Sequence, residues 1–246
     1  MPTITIAAVA GDLMFARDVT TLMQQHGAAY PFERVLPLFE GTDLLIGNLE
    51  GTFTDRGKPQ EKFYTFRTPP EFVEALTLDG FDAVSLANNH SYDFGLAGLD
   101  DTIATLASAG VTALGAGLDE VRASKPALLT VNGITVALLG FDDIGETRFA
   151  AGDRAGVARA SLTNATAIEL ATSRADYVIV MFHAGTEYSR GAIDAGADVA
   201  IARHPHVLQP RERYNGGVIL YSSATSSSTS IRTTSRRSAA DRSRRR

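Results

Sequence analysis

Four of the five histidines in this 246-residue chain sit in short polar blocks that directly follow apolar runs. They are His90 in Ala87-Asn88-Asn89-His90-Ser91-Tyr92-Asp93, His183 in Phe182-His183-Ala184-Gly185-Thr186-Glu187, and His204 with His206 in Arg203-His204-Pro205-His206. Two more blocks, Gly11-Asp12-Leu13-Met14 and Gly47-Asn48-Leu49-Glu50-Gly51, supply carboxylates and an amide. The chain has no cysteine, so a bound metal would be held by oxygen and imidazole alone. Taken singly, an Asp or Asn after a strand commonly caps a helix or a turn. His-Pro-His is more pointed, because proline fixes the backbone between two imidazoles and lets them converge. Together the blocks read as a divalent metal centre of one or two ions, of the Mn, Mg, Fe or Zn type, with Asp12, Asn48, Glu50, Asn89, His183, His204 and His206 as candidate ligands.

Such a centre suits hydrolysis of a phosphate ester, since two cations can clamp phosphoryl oxygens and lower the pKa of a water molecule towards neutrality. The leaving oxygen then needs a proton, and His90, next to Asn89, is the candidate general acid. Asp93 either bonds His90 and fixes its tautomer or caps the helix that starts near Phe94.

These blocks must be delivered by an α/β scaffold. Runs rich in Val, Ile and Leu alternate with segments of helical spacing, the pattern of a mostly buried sheet flanked by helices. Strands are expected at Thr3–Ala10, Asp43–Asn48, Asp82–Leu86, Thr112–Leu114, Ala127–Val131, Ile134–Gly140, Tyr177–Phe182, Asp198–Ala202 and Val218–Tyr221. Helices are expected at Ala16–His26, Pro31–Phe39, Pro70–Asp79, Gly95–Ala109 and Thr163–Arg174, the last capped by Ser161 or Thr163. Asn132-Gly133 between two apolar runs marks a hairpin, which makes the sheet mixed. The candidate residues then fall at carboxyl ends of strands, where open α/β sheets bind ligands.

The five blocks, in this order from about Thr3 to Tyr221, resemble the CapA-type poly-γ-glutamate capsule synthesis proteins, a branch of the calcineurin-like metallophosphoesterases. The resemblance rests on Gly-Asp-Leu-Met at 11–14, Asn-Leu-Glu-Gly at 48–51, Ala-Asn-Asn-His-Ser-Tyr-Asp-Phe-Gly at 87–95, His-Ala-Gly-Thr-Glu-Tyr at 183–188 and Gly-Ala-Asp-Val-Ala-Ile-Ala-Arg-His-Pro-His-Val at 196–207. It implies a sandwich of mixed β-sheets flanked by α-helices, with Asp12, Asn89, His183, His204 and His206 at metal-binding positions and Glu50 or Asn48 in place of a bridging Asp. It also implies a role in capsule polymer synthesis. The partners implied are an anionic polymer or phosphate-ester substrate, and capsule synthase subunits. The alternatives are a non-catalytic accessory subunit and an inactive truncated remnant.

Several positions depart from the family pattern. Leu13-Met14 follow Asp12 where phosphoesterases have Asp-x-His, which points to a weaker or single metal site. Ala184 replaces a Trp. Arg203 stands where Gly or His is usual, and with Asn88 it is a candidate substrate-binding residue; a surface-pointing arginine is its plainer reading. Only Ser189–Ala195 stand where relatives carry a whole helix, so the chain reads as internally shortened there.

Charge divides the chain at Tyr221. Residues 222–246 hold seven arginines and one aspartate, whereas the preceding 221 residues hold sixteen basic and twenty-seven acidic residues. Residues 223–230, Ser-Ala-Thr-Ser-Ser-Ser-Thr-Ser, match a one-base shift of the GC-rich codons for Leu-Gly-Asn-Phe-Val-Phe-Asp-Gln, the closing strand of relatives. The expected organisation is therefore one domain over 1–222 and a disordered, frameshift-derived tail over 223–246. The acidic body argues against nucleic acid as a partner. The chain as written shows neither a signal peptide nor a run long enough to span a membrane, which reads as cytoplasmic, although family members can be membrane-associated or exported.

Overall fold

The computed structural model describes residues 3–144, 147–161, 164–205, 207, 209–222 and 228–233. In chain order the strands are β1 (Ile4–Leu13), β2 (Leu44–Leu49), β3 (Thr52–Phe53), β4 (Arg67–Thr68), β5 (Ala83–Ser85), β6 (Thr112–Leu114), β7 (Ala116–Gly117), β8 (Ala127–Val131), β9 (Ile134–Asp142), β10 (Gly156–Val157), β11 (Tyr177–His183), β12 (Val199–Arg203), β13 (Arg211–Tyr214), β14 (Gly217–Leu220) and β15 (Ser228–Thr233). The α-helices are α1 (Asp18–His26), α2 (Glu74–Leu78), α3 (Gly95–Ser108), α4 (Glu120–Ser124), α5 (Ala165–Thr172) and α6 (Ser189–Asp194).

One sheet runs in the order β15-β1-β2-β5-β6, and a second in the order β13-β14-β12-β11-β9-β8. The strands that carry the polar blocks pair in parallel, while β15, β8 and β13 add antiparallel edges. The sheets face each other across an apolar layer that includes Ile6, Leu44, Ile46, Val136, Leu138, Ile179, Met181, Val199 and Ile201. On the outer faces, Met23, Leu76, Leu99 and Leu106 of the helices cover the first sheet, and Ile168, Ala171, Ala192 and Ile193 cover the second. Each fully buried Leu or Ile in these layers contributes about 1.5–3 kcal/mol of transfer free energy. The expected sandwich of mixed β-sheets flanked by α-helices is thus the observed architecture.

Local chemistry accounts for where elements differ from expectation. Asn132 (φ 51°) and Gly133 (φ 75°) make the anticipated hairpin, since a type I′ turn needs positive φ at both positions. Asn215 (φ 43°) and Gly216 (φ 74°) make a second hairpin between β13 and β14. The expected helix Pro31–Phe39 is only turns and a 3₁₀ segment at Leu36–Phe39; Pro31 and Pro37 lack the N–H groups a longer helix needs. Pro70–Asp79 divides into a 3₁₀ turn, Pro70–Val73, and α2. Asn164 is the N-cap residue of α5, and its Oδ1 accepts from Ser161 N at 2.6 Å; Thr163 lies outside the described residues. Six-residue α6 is enough to carry the chain between parallel β11 and β12 despite the short connection.

Within the segment expected as a tail, Ser228–Thr233 pairs antiparallel with β1, from Ile4↔Thr233 to Val9↔Ser228. The other residues of 223–246 lie outside the described residues.

Candidate functional site

Strand alternation decides which side chains face the gap between the sheets. Leu44 and Ile46 point into it, so Asn48 does too; in the second sheet Val136 and Leu138 lead to Asp142, Ile179 and Met181 to His183, and Val199 and Ile201 to Arg203. Register aligns Asp12 with Asn48 and Ser85, and Asp142 with His183 and Arg203. Two polar rows therefore close the apolar layer at the carboxyl ends of the strands. Gly140 keeps the sheets close here, since an added Cβ would lie 2.7 Å from Ser85 Oγ.

Hydrogen bonds lock the rows together. Asn48 Nδ2 donates to Asp12 Oδ1 at 2.7 Å, and His183 Nε2 donates to Asn89 Oδ1 across the gap at 3.0 Å. His183 Nδ1 lies 3.9 Å from Asp12 Oδ1, and His183 Nε2 lies 3.9 Å from Glu50 Oε1. The His204 ring stands edge-on to that of His183 with centroids 5.1 Å apart, on a backbone with φ 97°, a conformation rare for a residue with a side chain. His206 lies outside the described residues. Asn88, expected to touch substrate, is buried and spends its amide internally: Nδ2 donates to Leu49 O at 2.7 Å and Asn48 Oδ1 at 3.2 Å, and Oδ1 accepts from His90 N at 3.0 Å. These bonds tie it to Asn48, Leu49 and His90.

His90 has a built support. Its Nδ1 donates to Asp93 Oδ2 at 2.7 Å, and its Nε2 lies 3.8 Å from Glu50 Oε1. Asp93 also accepts from Phe66 N at 2.7 Å and from Lys62 Nζ at 2.7 Å, while the Phe66 ring stacks on the imidazole at a centroid distance of 4.2 Å. Of its two expected roles Asp93 therefore takes the histidine; α3 begins after Phe94 without a side-chain cap. Lys62, which sequence reasoning missed, also donates to Asn89 O at 2.5 Å. A cavity of about 370 Å³ lined by Lys62, Asn89, Tyr92, Asp93 and Arg148 opens beside this group.

The electrostatics are those of crowded, buried carboxylates. Burial, then the charges of Asp12 and Asp93, push the Glu50 carboxyl up to about 8. Burial likewise raises Asp142 to about 7, against the hydrogen bond from Thr147. Asp142, a second residue missed from the sequence, ends β9 beside His183, just as the recognised blocks end their strands. Arg203 is not on the surface: its residue is 2% exposed, and none of its guanidinium nitrogens has a hydrogen-bond partner among the described residues. The alternation that turns Val199 and Ile201 inward turns Arg203 inward as well.

The groups gathered here are of the oxygen and imidazole kinds that hold divalent cations: the Asn89 amide oxygen lies 3.0 Å from His183 Nε2, and the Asp12 and Glu50 carboxylates each come within 3.9 Å of the same ring. Among the described residues, no three His, Asp or Glu side chains form a metal-holding group by themselves.

Comparison with known proteins gives a consistent picture. The family model for bacterial capsule synthesis protein PGA_cap matches residues 6–224. The PGA biosynthesis protein CapA of Bacillus subtilis (strain 168) is 37% identical over 232 residues, covering 88% of this chain and 61% of that protein. The capsule biosynthesis protein CapA of Bacillus anthracis is 31% identical over 239 residues, covering 87% and 57%. The probable polyglutamine synthesis accessory protein Rv0574c of Mycobacterium tuberculosis (strain ATCC 25618 / H37Rv) is 32% identical over 219 residues, covering 78% and 58%. The chain thus spans about three fifths of the length of these curated relatives. Among solved structures, a novel phosphatase from Mycoplasma pneumoniae aligns with a TM-score of 0.53 at 15% identity, covering 90% of this chain and 72% of that one. A 5′-nucleotidase precursor from Thermus thermophilus aligns at 0.51 and 16%, covering 86% and 43%. These likenesses show a shared fold.

Proposed function

The chain belongs to the bacterial capsule synthesis protein family PGA_cap, and on that premise we propose that its strand-end site is a divalent-metal centre serving poly-γ-glutamate capsule synthesis. The observation that carries this reading is the His183–Asn89 hydrogen bond across the gap, which brings candidate ligands from both sheets together. Asp12, Asn48, Asn89, His183 and His204 would hold the ion, with Glu50 and His206 beside them. A bound divalent ion would supply Lewis-acid polarisation of a phosphoryl or carbonyl oxygen and a lowered pKa for water.

The chain's own groups do the remaining work. Asp93, held by Lys62 and the Phe66 N–H, accepts the hydrogen bond of His90 Nδ1–H and leaves Nε2 turned towards Glu50 and the site. A protonated Nε2 can then give its proton to a leaving oxygen. Burial of the rows excludes water and strengthens each of these interactions.

The substrate class is a phosphate ester or the anionic polymer itself, and synthase subunits are the expected protein partners. In a calorimetric titration, the full chain is expected to bind one or two Mn²⁺ ions and, in a separate assay, to hydrolyse a generic aryl phosphate. His204→Ala should lose both properties, and a variant that keeps both would refute the ligand assignment. A second reading, a non-catalytic accessory subunit, is favoured by the word "accessory" in the name of the Mycobacterium relative. Absence of stoichiometric metal uptake would select it.

A further inference from the structure

The buried guanidinium of Arg203 is the least satisfied group in the described part of the molecule. Its Nε, Nη1 and Nη2 are all buried without a hydrogen-bond partner among the described residues, although a guanidinium offers five N–H donors in a fixed planar fork. A charge removed from water without such bonds is costly, and a chain that only needed to fill this volume would do better with an apolar side chain. The neighbouring charge of Asp12 favours the cation but fills none of its donors.

Placement gives these donors a direction. Arg203 ends β12 in register with His183, on the face that Val199 and Ile201 turn towards the gap. It therefore stands in the polar row that faces Asp12 and Asn48.

We propose that Arg203 is the oxyanion-binding residue of this site, its guanidinium receiving two oxygens of a phosphoryl or carboxylate group beside the cation. Planar bidentate recognition of such groups is what arginine does and lysine does not. In this arrangement a fixed guanidinium supplies one arm of the clamp that two ions provide in binuclear sites. The inference rests on the metal-centre reading for its setting, but it concerns a different ligand.

The test uses the full chain, with and without Mn²⁺, and two probes: inorganic phosphate, and γ-glutamyl-glutamate for the carboxylates of the polymer. Wild-type protein should be stabilised against heat by one or both probes. Arg203→Met should melt a few degrees higher than wild type without ligand, because the unpartnered charge is gone. It should bind the effective probe at least tenfold more weakly and still take up Mn²⁺. Arg203→Lys, which keeps the charge but not the fork, should also lose most of the anion response. Response to phosphate alone identifies a phosphate-ester substrate, and response to the dipeptide identifies the polymer.

Undiminished anion binding in Arg203→Met overturns the proposal, as does a ligand-free Arg203→Met that melts lower than wild type. A wild type that takes up Mn²⁺ but neither anion also overturns it and leaves the metal reading intact. Anion binding through Arg203 without Mn²⁺ uptake does the reverse.

Discussion

Replacing Asp93 with Asn probes the support of His90 while leaving side-chain shape almost unchanged. The Asp93 side chain has no exposed surface and that of Lys62 is 8% exposed, so solvent cannot make good a lost partner. Asp93 accepts from the Lys62 ammonium, the His90 ring and the Phe66 amide. Asn offers one oxygen and one NH₂, so at least one of these three donors must face another donor. Loss of the charge-assisted bond costs about 1.5–3 kcal/mol, and a stranded buried donor adds about 1–3 kcal/mol. The expected loss is about 3–5 kcal/mol, the range for a buried ion pair with one partner removed. For a chain of this size that lowers Tm by roughly 10 °C. Thermal and urea denaturation followed by circular dichroism measure it. The Lys62→Met/Asp93→Asn double variant removes the stranded ammonium and should be more stable than the sum of the single changes by about 1–3 kcal/mol. In the aryl phosphate assay, run well below Tm, Asp93→Asn should lower kcat by about 10²–10⁴. A stability loss under about 0.5 kcal/mol with additive single changes would show that the four groups do not act as a unit.

Two further predictions rest on the other buried carboxylates. Asp79, at the C-cap of α2, has neither oxygen hydrogen-bonded among the described residues, and burial raises it to about 6 from an ordinary 3.8. Below about pH 3 both folded and unfolded chains carry it mostly protonated. As pH rises from about 3 to 6 the unfolded state ionises first and stability falls, and above about pH 7 the penalty is complete. Asp79→Asn should therefore stabilise the fold by about 1–3 kcal/mol at pH 7 and by almost nothing at about pH 3, as read by urea denaturation at both pH values. Glu50, raised to about 8, must lose its proton to serve a cation. Mn²⁺ affinity should thus climb between pH 7 and about pH 9 by about tenfold and then level off, with matching proton release in buffers of different ionisation enthalpy; in Glu50→Gln the climb should disappear.

Much of the fold is legible in the sequence because apolar runs and strand ends coincide. Ile134–Gly140 and Tyr177–Phe182 each fall within two residues of the observed β9 and β11. Edge strands are less visible, since they need only one buried face: Arg211–Tyr214 reads as polar, and only Asn215-Gly216 betrays its hairpin. At the site, Asp12, Asn48, Asn89, His183 and His204 are readable because each closes an apolar run. Lys62 carries no such mark; it sits in a loop, and only the tertiary fold brings it to Asp93. Asp142 carries the mark but lies before an irregular stretch without a histidine to draw attention. Arg203 is visible as a residue but not in its direction, although the inward parity of Val199 and Ile201 fixes it.

Between Ala8 and Asp12, β1 takes four steps while β2 takes two from Ile46 to Asn48. The excess is an even number, so Asp12 returns to the face that Ala8 occupies and Leu13 to the face of the helical layer. Length is therefore more tightly constrained than composition in this segment. A single-codon insertion or deletion between Val9 and Gly11 would exchange the faces of Asp12 and Leu13, putting a leucine in the site and a carboxylate in the core. Paired changes would preserve parity, and descendants of this sequence should vary there by two residues or none.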